Sequence, residues 1–215
     1  MATPEADNIL VNHQNISNSQ QLCLWLKQDA MRMDALKYAA QLNLPQWCIA
    51  AGFVRNLVWD RLHGRLNTPL TDIDVIYFDP SDLSKDSEYG YQAKLQTLAP
   101  DYPWSVNNQA RMHIRNGDEP YTSTLDAMGY WPELETAVGV SFSLAEAAEP
   151  LVQHAPLISN LDTLQGIEIF APFGLTSLFD LRVSPNSKRD IKLFHQRVKQ
   201  KSWLGQYPKL SCTTE

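Results

Sequence analysis

Two stretches decide the fold: Trp47-Cys48-Ile49-Ala50-Ala51-Gly52-Phe53-Val54-Arg55-Asn56 and, after a polar connection, Thr71-Asp72-Ile73-Asp74-Val75-Ile76-Tyr77-Phe78. The first opens on a short apolar run, Trp47 to Ala51, which reads as a buried strand ending at Gly52. Phe53, Val54, Leu57, Val58 and Leu62 then recur at helical spacing as far as His63-Gly64. The connection from Arg65 to Thr71 contains Pro69. The second stretch is β-branched and aromatic, and Asp79-Pro80 stops it, so it reads as another strand.

Strand side chains alternate between faces, so Asp72 and Asp74 point the same way, about 7 Å apart along the strand. Two like charges on one face repel unless a cation neutralises them. Hard oxygen ligands in this arrangement suit Mg²⁺ (or Mn²⁺), which binds through one or two carboxylates plus substrate phosphates. Ile73, Val75 and Tyr77 belong to the opposite, core-facing side. The Gly52 turn supplies a complementary part. Glycine tolerates close approach of a ligand, and a helix starting at Phe53 offers unpaired N–H groups to an anion. Arg55 in the first helical turn opposes the helix dipole unless it faces a phosphate. The alternatives are plain ones: a glycine serving an ordinary turn, and an aspartate pair at a solvated strand end.

Working outward, a helical stretch is expected from Ser19, its cap, to Leu44, with a restart at Asp29 and a stop at Pro45. Helices are expected over 86–99 and 123–131 and at Gln109–His113, and strands at Trp104–Asn107, Ala137–Leu144 and Ile167–Phe170. A last helix starts at Ser187, with a capping-box-like Ser187/Asp190 spacing. Ile191, Phe194 and Val198 give it one apolar face, and basic residues cover the rest. Residues 1–18 are polar and read as a flexible N-terminus. Residues 19–205 read as one domain, and 206–215 as a C-terminal tail. The class is α+β with a mixed β-sheet flanked by helices.

Composition narrows the classes. The chain has 215 residues, a net charge of −6, 44% apolar residues and six tryptophans, which describes a globular core rather than a disordered chain. No run approaches the length of a membrane span. The start lacks the charged and apolar regions of a secretory signal. Three dispersed cysteines argue against a disulfide framework and point to a reducing, cytoplasmic location. Charge is uneven: residues 182–209 hold eight basic residues and a single acid, Asp190. That basic helix is either a solvated covering face or a guide for an anionic substrate.

Ala50-Ala51-Gly52-Phe53-Val54-Arg55-Asn56 followed by Thr71-Asp72-Ile73-Asp74-Val75 resembles the head of the DNA polymerase beta-like nucleotidyltransferase superfamily. Its pattern is that of CCA-adding enzymes and bacterial poly(A) polymerases, Gly-Gly-x-Val-Arg-Asp and then Asp-x-Asp. The stretches Trp104–His113, Tyr130–Glu133, Thr136–Val140 and Ile169–Leu175 look like a small bacterial family of nucleotidyltransferase-like proteins. The resemblance implies the polymerase beta-like nucleotidyltransferase fold and Mg-dependent transfer of a nucleoside monophosphate from an NTP to an unknown acceptor, which could be a small molecule, protein or RNA. Asp72 and Asp74 would be catalytic and hold the metal. Gly52, Phe53, Arg55, Asn56, Asn107 and Arg111 would contact nucleotide or phosphate. Two departures stand out. Asn56 replaces the family's Asp after the Arg. Asn107 and Asn108 stand where many members place a third carboxylate, leaving Glu119, Asp126 and Glu133 as candidates. The alternative reading is therefore a catalytically inactive nucleotide- or RNA-binding or interaction module that keeps the fold.

Overall fold

The computed structural model describes residues 16–66, 68–143 and 166–213. Most of the expected flexible segment 1–18 and Leu144 of an expected strand lie outside these residues.

The helical stretch before Pro45 is two helices, α1 Asn18–Lys27 and α2 Ala30–Ala40. Two local caps explain the break. Ser17, not Ser19, caps α1 through a reciprocal bond with Gln20. Asp29 accepts from the Arg32 N–H and starts α2. Strand β1 Cys48–Ala50 leads into α3 Gly52–Leu62, and β2 Ile73–Tyr77 follows. Next come α4 Lys85–Leu98, β3 Trp104–Asn108, a 3₁₀ turn at Gln109–Arg111, and the short helices α5 Met112–Asn116 and α6 Thr124–Met128. Strands β4 Gly139–Phe142 and β5 Ile167–Phe170 complete the main sheet. The chain continues through α7 Thr176–Phe179, β6 Arg182–Val183, α8 Ile191–Lys201, α9 Trp203–Gln206 and β7 Ser211–Cys212.

The sheet order is β3-β2-β1-β4-β5. Only β3 and β2 run parallel; β2–β1, β1–β4 and β4–β5 are antiparallel. α4 makes the crossover that a parallel pair requires. Register sets Val106, Val75, Ile49 and Val140 in one row across the sheet. That row faces the main core with Ile73 and Tyr77, against Leu22, Leu26, Leu36, Phe53, Val58 and Leu95 from α1–α4. The opposite face carries Cys48, Ala50 and Ile76 under Met128 and Ala137. Gly139 is required there: a Cβ on it would lie 2.6 Å from the Cys48 Sγ, so only glycine lets β4 pair beside β1.

Two C-terminal expectations change. Asp190, not Ser187, caps the basic helix, accepting from the Lys192 N–H. Phe194 is buried and Val198 packs on the core, but Ile191, the first residue of the helix, is 40% exposed. Ser211–Cys212 pairs with Arg182–Val183, which fastens the segment after α9 to the domain. All three cysteines are free thiols, and among the described residues no helix is long and apolar enough to cross a membrane.

Candidate active site

The turn from β1 to α3 sets one wall of a cavity of about 300 Å³. Ala51 has φ 57° and ψ −122°, a left-handed conformation that costs a non-glycine residue of order 1–3 kcal/mol. Its N–H donates to the Val138 carbonyl and its carbonyl accepts from Val54 and Arg55, so both sides of the bend are tied down. The first amides of α3, at Gly52 and Phe53, have no intrahelical acceptor, and Gly52 lines the cavity. Gly52 has an ordinary φ, and a Cβ there would meet the Asn56 Nδ2 at 3.5 Å and the Arg55 Nη2 at 3.6 Å, both ordinary contacts. The protein has room for a methyl group at this point; the space it would fill is the hollow between two donor groups.

Arg55 is 6% exposed. Its Nη1 donates to the Thr136 Oγ1 at 2.7 Å, and its Nε and Nη2 donate to the Asn56 Oδ1. The guanidinium carbon lies 4.4 Å from the Trp203 ring and 5.1 Å from the Trp59 ring. Among the described residues no carboxylate forms an ion pair with it. Burial pushes its pKa down to about 10, with the nearby charges of Glu133 and Asp74 acting in the opposite direction. The group still stays charged at neutral pH. It is a desolvated cation with no ion-pair partner among the described residues.

Asp72 and Asp74 line the same cavity, together with Gly52, Arg55 and Asn56. Burial raises the Asp74 carboxyl to about 6, the charge of Asp72 adds to this, and the Ser105 hydroxyl, Lys201 and Arg55 act against it. Asp72 is raised by burial too, opposed by Lys201 and the Ile73 amide. Neither has a salt bridge among the described residues. Two hard, adjacent carboxylates left unneutralised suit a Mg²⁺ that draws its other ligands from water and phosphate. No group of three or more His, Cys, Asp or Glu that could hold a metal occurs among the described residues.

Asn107 on β3 holds the position where the resemblance leads one to expect a third carboxylate. Its Nδ2 donates to the Ser105 Oγ at 2.8 Å, and Ser105 hydrogen-bonds to Asp74. β3 therefore orients the Asp74 carboxylate through a neutral relay and adds no charge. Of the other candidate acids, Asp126 accepts from Thr122, and Glu119 is exposed on the loop before α6. Glu133 is fully buried and bound to the Arg197 Nε at 2.5 Å.

Two expected contacts lie elsewhere. The Phe53 side chain is in the core, while its carbonyl accepts from the buried Arg32 Nε at 2.8 Å. Arg111 is paired with Glu88 of α4 through two hydrogen bonds, one of 2.6 Å, and lines neither this cavity nor its neighbour. Spacing alone did not reveal Arg197, Lys201 and Trp203, which reach the cavity from α8 and α9. Their signal was the i, i+4 basic pair on the last helix, which puts Arg197 and Lys201 on one stripe.

A strand-turn-helix carrying Gly52 and Arg55, set beside a strand carrying two carboxylates, is the architecture of the site. The chain belongs to a nucleotidyltransferase family, whose model matches residues 37–212. One solved NMR structure, described as a CCA-adding enzyme head domain, is similar at 28% identity and TM-score 0.71, covering 90% of this chain and 95% of that one. A tRNA-processing enzyme complex is far more distant, with 12% identity, TM-score 0.43, and 83% and 42% of the two chains covered. No curated protein matches the chain significantly.

Proposed function

We propose that the chain transfers a nucleoside monophosphate from a Mg²⁺-bound NTP to an acceptor hydroxyl. One observation carries this reading: Arg55, a buried cation, and the carboxylates Asp72 and Asp74 face one cavity of about 300 Å³, and among the described residues none of the three forms an ion pair. A ligand bearing both a divalent cation and phosphates satisfies both deficits. The Gly52 and Phe53 amides and the Arg55 guanidinium receive phosphate oxygens. Asp72 and Asp74 would hold Mg²⁺, which when bound supplies neutralisation of charge on the transferring phosphoryl group. Lys201 adds positive charge at the rim. The Asn107–Ser105 relay keeps the Asp74 carboxylate aimed. The acceptor oxygen attacks the α-phosphorus in line, and pyrophosphate leaves.

No carboxylate on β3 or β1 stands beside the pair to take the acceptor proton, which favours an acceptor whose hydroxyl is already acidic or a proton passed to water. It also keeps a second reading in play, a module that binds NTP and does not turn it over. Labelled NTPs, Mg²⁺ or Mn²⁺ and a panel of acceptors decide between them. Transfer above the level of an Asp72→Ala/Asp74→Ala double variant is the expected result. Metal-dependent NTP binding with no transfer would leave the binding module, and neither binding nor transfer would end both readings.

A further inference from the structure

The residue after Arg55 holds it, and the way it does so follows from which atoms can donate. A guanidinium has donors only. The Asn56 atom that receives the Arg55 Nε at 3.2 Å and Nη2 at 3.0 Å is therefore the amide oxygen. The amide nitrogen is turned the other way. It lies 3.5 Å from where a Cβ on Gly52 would sit, and the Arg55 Nη2 lies 3.6 Å from the same point. Among the described residues this nitrogen donates to no acceptor. Nη2 carries two hydrogens and gives one to Asn56, so it too has a hydrogen to offer. The Gly52 hollow is flanked by one neutral and one charged donor.

The other partners of the guanidinium share a property with Asn56. Thr136 receives Nη1, and the Trp59 and Trp203 rings lie against the guanidinium carbon. None of these four side chains carries a charge. They fix the position of Arg55, which is 6% exposed, and leave its charge intact. An aspartate in place of Asn56 would accept the same two bonds and add an ion pair. It would also put a carboxylate oxygen where the amide nitrogen now lies. The cavity already holds the carboxylates of Asp72 and Asp74, so a further one beside Gly52 would repel phosphate.

We infer that Asn56 is a positioning residue that holds the Arg55 guanidinium without cancelling its charge, and so reserves that charge for a phosphate of the NTP. The inference rests on the transfer reading above and adds to it a reason for the amide. The oxygen of Asn56 orients the cation, and its N–H₂ group adds an uncharged donor on the same side of the hollow. The same reading accounts for Asn56 standing where the resembled pattern has Asp: in this chain the aspartate would exchange anion affinity for stability.

The test compares the full wild-type chain with Asn56→Asp and Asn56→Ala. Calorimetry reads the binding of inorganic tripolyphosphate and of a non-hydrolysable NTP analogue, each with Mg²⁺. Thermal melts are run in EDTA. Tripolyphosphate has no nucleoside, so it isolates the part of the site that Arg55 and Asn56 serve. Affinity for both probes should fall in the order wild type, Asn56→Ala, Asn56→Asp, with at least about ten-fold between the first and the last. Melting temperatures should run in a different order. Asn56→Asp should equal or exceed wild type, and Asn56→Ala should fall below it, because alanine leaves the Arg55 Nε without a partner. A residue needed only for folding would move affinity and stability together, so the crossed order separates the two roles. Equal or higher affinity of Asn56→Asp overturns the inference and leaves the transfer reading standing. A melting temperature of Asn56→Asp that falls along with its affinity overturns it as well. If wild type binds neither probe, the transfer reading fails and the inference fails with it. Should Asn56→Ala not fold, wild type against Asn56→Asp decides alone.

Discussion

Replacing Asp74 by Asn should make the metal-free protein more stable while abolishing transfer. The Asp74 carboxyl is shifted from 3.8 to about 6, chiefly by burial and then by Asp72. At about 1.4 kcal/mol per pKa unit, a shift of about two units corresponds to an upper bound of about 3 kcal/mol. Solvent at its open side lowers this to about 1–2 kcal/mol. The sign follows from proton counting. A carboxyl whose folded pKa exceeds its unfolded value binds more protons in the folded state, so stability falls as pH rises from about 4 and the full cost is present above about 6. Asn carries no charge at any of these pH values. It is nearly isosteric and can still accept from Ser105. In EDTA, thermal melts should therefore coincide near pH 4 and separate by about 2–8 °C in favour of Asp74→Asn at pH 7.5. Adding Mg²⁺ should raise the melting temperature of wild type and leave the variant where it was. An equal or lower melting temperature for the variant at pH 7.5, or the same gain at pH 4 as at pH 7.5, would refute the claim that Asp74 is an uncompensated buried charge.

Other outcomes follow from the same site. Gly52→Ala should keep or gain up to about 0.5–1 kcal/mol of stability, since alanine suits a helix better, yet lose at least about ten-fold in NTP affinity because the methyl group occupies the anion hollow; calorimetry and a melt together check this. Arg111→Met should cost about 2–3 kcal/mol in denaturant unfolding by leaving the Glu88 carboxylate buried without its partner, with transfer unchanged at temperatures where the variant is folded. Lys201→Gln should weaken NTP binding by about two- to five-fold at low salt and flatten its salt dependence, since Lys201 is an exposed rim charge.

The local parts of the site were legible in the sequence. Strand alternation placed Asp72 and Asp74 on one face, and the apolar run before Gly52 located the turn that faces them. What escaped was decided by partners distant in the chain. Arg55 was read as a phosphate ligand in the first turn of a helix, but nothing in its neighbourhood announced the Thr136 hydroxyl or the Trp203 ring that hold it. For Arg111 the resemblance implies a phosphate contact; α4 returning over β3 brings Glu88 to it, and the ion pair holds it away from the cavity. Asn107 looked like a missing acid, whereas the parallel register of β3 on β2 makes it a support for Ser105. Capping errors had a nearer cause. Ser17 and Asp190 competed with Ser19 and Ser187 over a distance of two or three residues, and only backbone geometry shows which oxygen meets a free N–H.

The dependence of Arg55 on Trp203 has a consequence in time. The turn at Gly52 and the strand at Asp74 leave a ribosome well before α8 and α9, which supply Arg197, Lys201 and Trp203 to the same cavity. Until those helices dock, Arg55 is exposed to water on one side and Lys201 is not yet near the carboxylates. On the proposed reading, a nascent chain then has the strand that carries Asp72 and Asp74 and lacks the C-terminal side of the cavity. If the proposed transfer is right, competence for it arrives late, when the C-terminal helices that carry Arg197, Lys201 and Trp203 close on the sheet.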